Sequence, residues 1–83
     1  MKVVKVEWLD AECLEEWVER DDCDEYSVET IEPSYTLGFL VYESSTHVAL
    51  AQTIDDEQAA NVWKIPRGMV QRIEIIHEHE TPH

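Results

Sequence analysis

Lys64, Arg67 and Arg72 fall within NVWKIPRGMVQRIEII, residues 61–76, and make up half of the six Lys and Arg residues in a chain of formal charge −13. Cations this close together in so acidic a sequence admit two readings. They can occupy the outward positions of a strand pair and balance nearby Glu, or they can gather where an anion is held. The second reading depends on Arg67 above all. At the Pro-Arg-Gly turn its guanidinium presents a planar fork that matches one phosphate or carboxylate. Trp63 and Tyr42 add flat surfaces on which a base could stack. Residue types alone leave both readings open.

Other chemistry is less well supplied. His77 and His79 lie two apart, so a strand puts both imidazoles on one face as a metal pair requires. No third ligand stands at a defined spacing, and a solvated strand end without metal is expected. No nucleophile has a recognisable base partner, there is no Gly-rich phosphate loop, and carboxylates are too abundant for one pair to stand out. The expectation is a protein that is not an enzyme and carries no cofactor. Trp8, Trp17 and Trp63 are expected as core or interface anchors. Cys13 and Cys23, the two cysteines, lack C-x-x-C spacing and read as reduced thiols, structural or incidental, since Cys usually behaves as a small buried hydrophobe.

Composition bounds the partners. With 83 residues the chain makes one domain, and a core this small favours oligomerisation. The negative charge argues against an extended nucleic-acid backbone and suits a basic protein partner or mimicry of a polyanion. Much of it falls between Asp10 and Glu25, where Glu12, Glu15, Glu16 and Glu19 gather on one side of an expected helix. No apolar run approaches a membrane span, and the opening residues lack a signal peptide's apolar segment. A membrane partner is not expected, and a cytoplasmic location is.

The elements that must position these residues follow from patterning. Residues 2–9, KVVKVEWL, are rich in β-branched side chains and predict a strand. Asp10 offers an N-cap to a helix over residues 11–21, whose stripe of Leu14, Trp17 and Val18 must dock on something. Residues 26–44 predict one long strand or two, interrupted near Pro33, with Gly38 marking a sharp bend. A polar turn, SSTH, leads to a returning strand over residues 47–54. Residues 55–61 read as a loop with one helical turn, and VWKI, residues 62–65, as the next strand. Pro66 and Gly68 bracket a type I or 3₁₀ turn before a closing strand over residues 70–76. HEHETPH, residues 77–83, reads as a polar tail. Short bent strands in this order predict a mostly β fold: a small five-stranded SH3-like barrel, one helix inserted after the first strand.

On these residues the chain resembles a known family. IPRGMVQRI is similar to the second motif of Sm-like proteins, and GFLVYESSTHVALA to the first, which opens with Gly-x-Leu. Together with VEWLD, the pattern also resembles a set of short phage and prophage proteins. The resemblance implies an Sm-like barrel able to form rings by pairing the open strands of neighbouring subunits. It implies an RNA-contacting role for an arginine at the position of Arg67. The Asp and Asn that complete that RNA pocket have no counterpart, because Ser45 and Val48 stand about where they would fall.

Two functions are therefore expected. One is a phage-type binding protein that sequesters a small anionic ligand, such as a nucleotide immune signal, and so counters host defence. Its site would comprise Arg67, Lys64, Arg72, Trp63 and Tyr42. The other is an acidic interaction module, or DNA mimic, that inhibits a host protein through Glu12, Glu15, Glu16 and Glu19. Both place the protein in the cytoplasm of an infected or lysogenic bacterium.

Overall fold

The computed structural model describes residues 1–78. Five strands are present: β1 (Lys2–Trp8), β2 (Ser34–Glu43), β3 (His47–Ile54), β4 (Ala59–Pro66) and β5 (Val70–Glu78). One helix, α1 (Arg20–Val28), lies between β1 and β2, and a 3₁₀ turn (Arg67–Met69) links β4 to β5. All strands are antiparallel and form one sheet in the order β4-β3-β2-β1-β5. The fold is mostly β, as patterning predicts. It is an open sheet and not a closed barrel, since β4 and β5 are its two edges.

Alternation sorts each strand into two faces. Val4 and Val6 on β1, Val48 and Leu50 on β3, and Ile65 on β4 are fully or almost fully buried and form the core. Trp8, Leu40, Met69, Val70 and Ile73 pack against them. Thr36 is buried on the same face, where its hydroxyl accepts the Trp8 indole N–H at 3.0 Å. Ordinary pairing explains why these residues meet: Val4 lies opposite Gly38 and Ile75, Val6 opposite Thr36 and Ile73, and Val48 opposite Ile65.

Curvature comes from register shifts. Three interrupt the ladders: between Val3 and Val4 and between Glu7 and Trp8 where β1 meets β5, and between Leu40 and Tyr42 where β2 meets β3. Each such shift bends its strand and raises the local twist. Gly38 sits just ahead of the last one. Its need is close approach, not unusual dihedral angles, since no glycine has positive φ. A Cβ there would lie 2.9 Å from the Ala51 carbonyl oxygen. Asn61 in β4 is left-handed, at φ 54°, a conformation Asn tolerates better than other side chains with a Cβ.

The helix differs from expectation. Residues 11–19 are irregular, and α1 starts at Arg20. Asp10 does accept a backbone N–H, from Ala11 at 2.9 Å, but this bond starts no helix. The predicted stripe finds nothing to dock on: Leu14 and Val18 are exposed, and Trp17 is 103% exposed. A segment this short gains little from propensity alone, so without docking it stays unwound. The observed helix takes the next stretch, where Asp21 and Asp22 in its first turn complement the positive end of its dipole. Residues 26–33, expected to be strand, belong instead to α1 and an irregular return. Cys13 and Cys23 are both exposed free thiols, so neither is a buried structural hydrophobe and only the incidental alternative stands.

Boundaries at the other end shift as well. β4 begins at Ala59, taking in residues expected as loop, and β5 runs on through His77 and Glu78. His79, the second half of the His-x-His pair, lies outside the described residues.

Candidate functional site

The β2–β3 turn holds Arg67. Its backbone N–H donates to the Thr46 carbonyl at 2.9 Å, and its side-chain Nε donates to the Ser44 carbonyl at 2.9 Å. The remaining guanidinium edge reaches Glu43 at 3.4 Å. The fork is thus already engaged by the turn that it clasps. Ser44 and Thr46 hydroxyls bond to each other at 3.0 Å, and Thr46 bonds to His47 Nδ1 at 2.9 Å. The His47 ring lies 5.2 Å from that of Tyr42. Arg67, Tyr42 and a histidine that composition did not single out therefore surround one turn. Only the pairing of Tyr42 and His47 with Ala49 and Pro66 reveals that grouping.

Lys64 joins this group from β4. It lies opposite Ala49, which lies opposite Tyr42, so the three form one row across the sheet. The Lys64 side chain has no hydrogen bond or ion pair among the described residues. Trp63 and Arg72 do not join them. Trp63 pairs with Leu50 and so faces the core side, where it remains 48% exposed beside the open edge. Arg72 is on β5, the opposite edge, where it contacts Glu74 at 3.3 Å. Glu74 also takes Lys5, at 3.5 Å. The two expected roles of the cations thus divide. Arg72 and Lys5 balance a carboxylate, while the Lys64 side chain is left without one, across Ala49 from Tyr42.

The outward face of the sheet carries more apolar surface than a solvated face needs. Val62, Ala51, Phe39 and Val3 form a continuous row across β4, β3, β2 and β1. Ala51 and Ala49 are buried between larger neighbours, but Val62 is 54% exposed and Leu37, next to the row on β2, 53%. Lys5, Lys64 and Arg72 flank this surface, against Glu7 and Glu74, so it is locally positive in a chain of net charge −13.

The second candidate is the arm, residues 10–33. It holds eleven carboxylates and one arginine, and hence ten of the thirteen net negative charges. Glu12, Glu15, Glu16 and Glu19 all lie in it and all are exposed, on an irregular segment and not on a helix face. Its two limbs meet at Tyr26. This half-buried phenol is pushed above its ordinary value by desolvation, then by Glu12, Cys13 and Glu29. A shallow depression of about 780 Å³ at the root of the arm is lined by Asp10, Glu12, Glu29 and Glu32 among others. Such a lining repels an anion. Five large apolar side chains, Leu14, Trp17, Val18, Val28 and Ile31, are exposed among these charges. Among the described residues no group of three His, Cys, Asp or Glu is arranged to hold a metal ion, and no helix is long and apolar enough to cross a membrane.

No protein-family model matches the chain, and no curated protein or solved structure matches it.

Proposed function

We propose that the protein is a non-enzymatic interaction module whose acidic arm occupies a basic surface of another protein. One observation carries this reading: Trp17 stands fully exposed within a segment that holds ten of the thirteen net negative charges. Solvated charge alone needs no tryptophan. A large aromatic left in water gains several kcal/mol when it is buried, on the order of 25 cal/mol per Å² of apolar area. Carboxylates around it speed the approach to a cationic surface and orient it, and Trp17 then supplies the anchor. The phage resemblance makes a host protein the expected partner, with the arm standing in for nucleic acid on a basic groove. The unpaired edges of β4 and β5 favour self-association beside this role.

The test uses the full chain as bait. Trp17→Ala should speed release and so weaken capture by on the order of 2–4 kcal/mol, as loss of an interface anchor does. Changing Glu12, Glu15, Glu16 and Glu19 to Gln should slow association and flatten its salt dependence. Equal capture by wild type and both variants rejects the reading.

A second reading, sequestration of a small anionic ligand, is favoured by the free Lys64 in its row with Ala49 and Tyr42. Arg67 would border such a site while keeping its bond to Ser44. Calorimetry against a nucleotide panel tests it: heat with wild type and none with Lys64→Ala supports a site there, and no heat with wild type removes it.

A further inference from the structure

Two surfaces of this chain are incomplete in complementary ways. The outward sheet face presents Leu37, Val62, Phe39 and Val3 with Lys5, Lys64 and Arg72 around them. The arm presents Trp17, Leu14 and Val18 among carboxylates. Within a single chain neither covers the other, since Leu37 and Val62 remain more than half exposed and Trp17 wholly so. The arm leaves the sheet at Trp8 and rejoins it at Ser34, and these residues are register partners at one end of the β1–β2 ladder. The Cα trace measures 59 by 21 by 20 Å, an outline more elongated than a five-stranded sheet alone makes. For its own arm to lie on the outward face, both limbs would have to reverse at that end. A neighbouring molecule can bring its arm to the same face with no reversal.

We infer that the outward sheet face is a docking surface for the acidic arm of a second copy of this chain, Trp17 packing at Leu37 and Val62. Two copies related by a twofold axis make the contact reciprocally, each arm on the other's face, which closes the assembly at a dimer. Charge points the same way. The arm carries a net charge of −10, and the face, with three cations against two carboxylates, is net positive. Face against face or arm against arm would oppose like charges. This contact goes beyond the interaction-module reading, for it gives the same arm a second occupant. A basic partner would then compete with self-association.

Sedimentation of the purified full chain over a wide concentration range reads the contact directly. Wild type should dimerise, with tryptophan emission shifting to the blue as the dimer fills, a shift that Trp17→Asp should lack. Trp17→Asp and Leu37→Asp should each weaken dimerisation by roughly thirtyfold or more, the scale for loss of one buried anchor. Both side chains are exposed in the single chain, so circular dichroism, and the melting temperature at concentrations too low for dimerisation, should remain those of wild type. The two variants mixed should then recover a dimer. Either change spoils both contacts of a homodimer, whereas the mixed pair keeps one intact: the arm of Leu37→Asp on the face of Trp17→Asp. A wild type that stays monomeric overturns the inference. So does a dimer indifferent to both substitutions, which is what pairing of the β4 and β5 edges would give. Failure to form the mixed dimer overturns it too, as does protection of Trp17 independent of concentration, the sign of a chain covering its own face. Leu37→Asp separates the two readings, because it leaves the arm and its Trp17 unchanged: loss of the dimer in that variant with capture of a basic partner intact marks the sheet face alone.

Discussion

Gly38→Val puts the curvature of the sheet to a quantitative test. A Cβ on residue 38 would lie 2.9 Å from the Ala51 carbonyl oxygen and 3.3 Å from its carbon, both of them backbone atoms. Neither can swing aside as a side-chain tip would, so β2 and β3 must separate locally or twist further. Valine adds two methyl groups beyond that Cβ. Overpacking of this kind costs up to about 3 kcal/mol. Against it stands the conformational entropy that glycine loses on folding, which returns roughly 1 kcal/mol on substitution. The net is a destabilisation of about 2 kcal/mol, and for a domain of this size that lowers the melting temperature by roughly 8–16 °C. Gly68→Ala is the matched control. Nothing lies within 4 Å of a Cβ there and its φ is not positive, so the melting point should hold or rise slightly. Calorimetric melts of both variants decide the matter. A Gly38→Val protein that melts within about two degrees of wild type refutes the close approach of β2 to β3.

Three further outcomes are expected. Thr36→Val leaves the Trp8 N–H without its acceptor at 3.0 Å and should cost about 1 kcal/mol in denaturant melts. Arg67→Ala frees the Ser44 carbonyl and Glu43; this partly exposed anchor should be worth about 1 kcal/mol after solvent screening, read together with faster amide exchange across the Ser44–His47 turn. The Asp55 carboxyl is held below its ordinary value of 3.8 by the Glu57 and Gln58 backbone N–H groups, so the stabilisation of this turn is present above that value and is lost as pH falls through the lower folded-state value. An NMR titration of Asp55 with its midpoint at or above 3.8 would contradict those two bonds.

Strand positions were legible wherever side chains themselves favour an extended chain. β1, β3 and β5 carry Val and Ile at the positions that pack, and local preference agrees with the fold. The start of β4 was not legible. Ala59 and Ala60 have little β preference, and they are extended because they pair with Ile54 and Thr53, while left-handed Asn61 beside them joins the strand only through its neighbours. Periodicity misled in the arm, where Leu14, Trp17 and Val18 are spaced for a helix but have no surface to pack on. Nothing in the spacing of a stripe reports whether a partner surface exists. The candidate cations were legible as a cluster in sequence, yet the sheet divides them between its two edges. Lys64 and Arg72 are eight residues apart in the chain and four strands apart in the sheet. Only Arg67 keeps the turn position that its neighbours Pro66 and Gly68 imply.

The pairing of Trp8 with Ser34 makes the arm a cassette. Its two ends sit side by side on adjacent antiparallel strands, the same geometry that any short hairpin turn spans. The sheet is therefore complete without it, and a two-residue turn in its place should close β1 onto β2. Shortening that loop about twelvefold would remove roughly 2 kcal/mol of closure entropy, so the trimmed sheet should refold faster and melt later than the parent. By the same geometry the arm can be transplanted, since any protein with an antiparallel hairpin offers two neighbouring strand ends to receive it. Binding and folding would then reside in separable parts of a chain of only 83 residues. Mutations in the arm could retune the partner with little cost to the sheet that carries it.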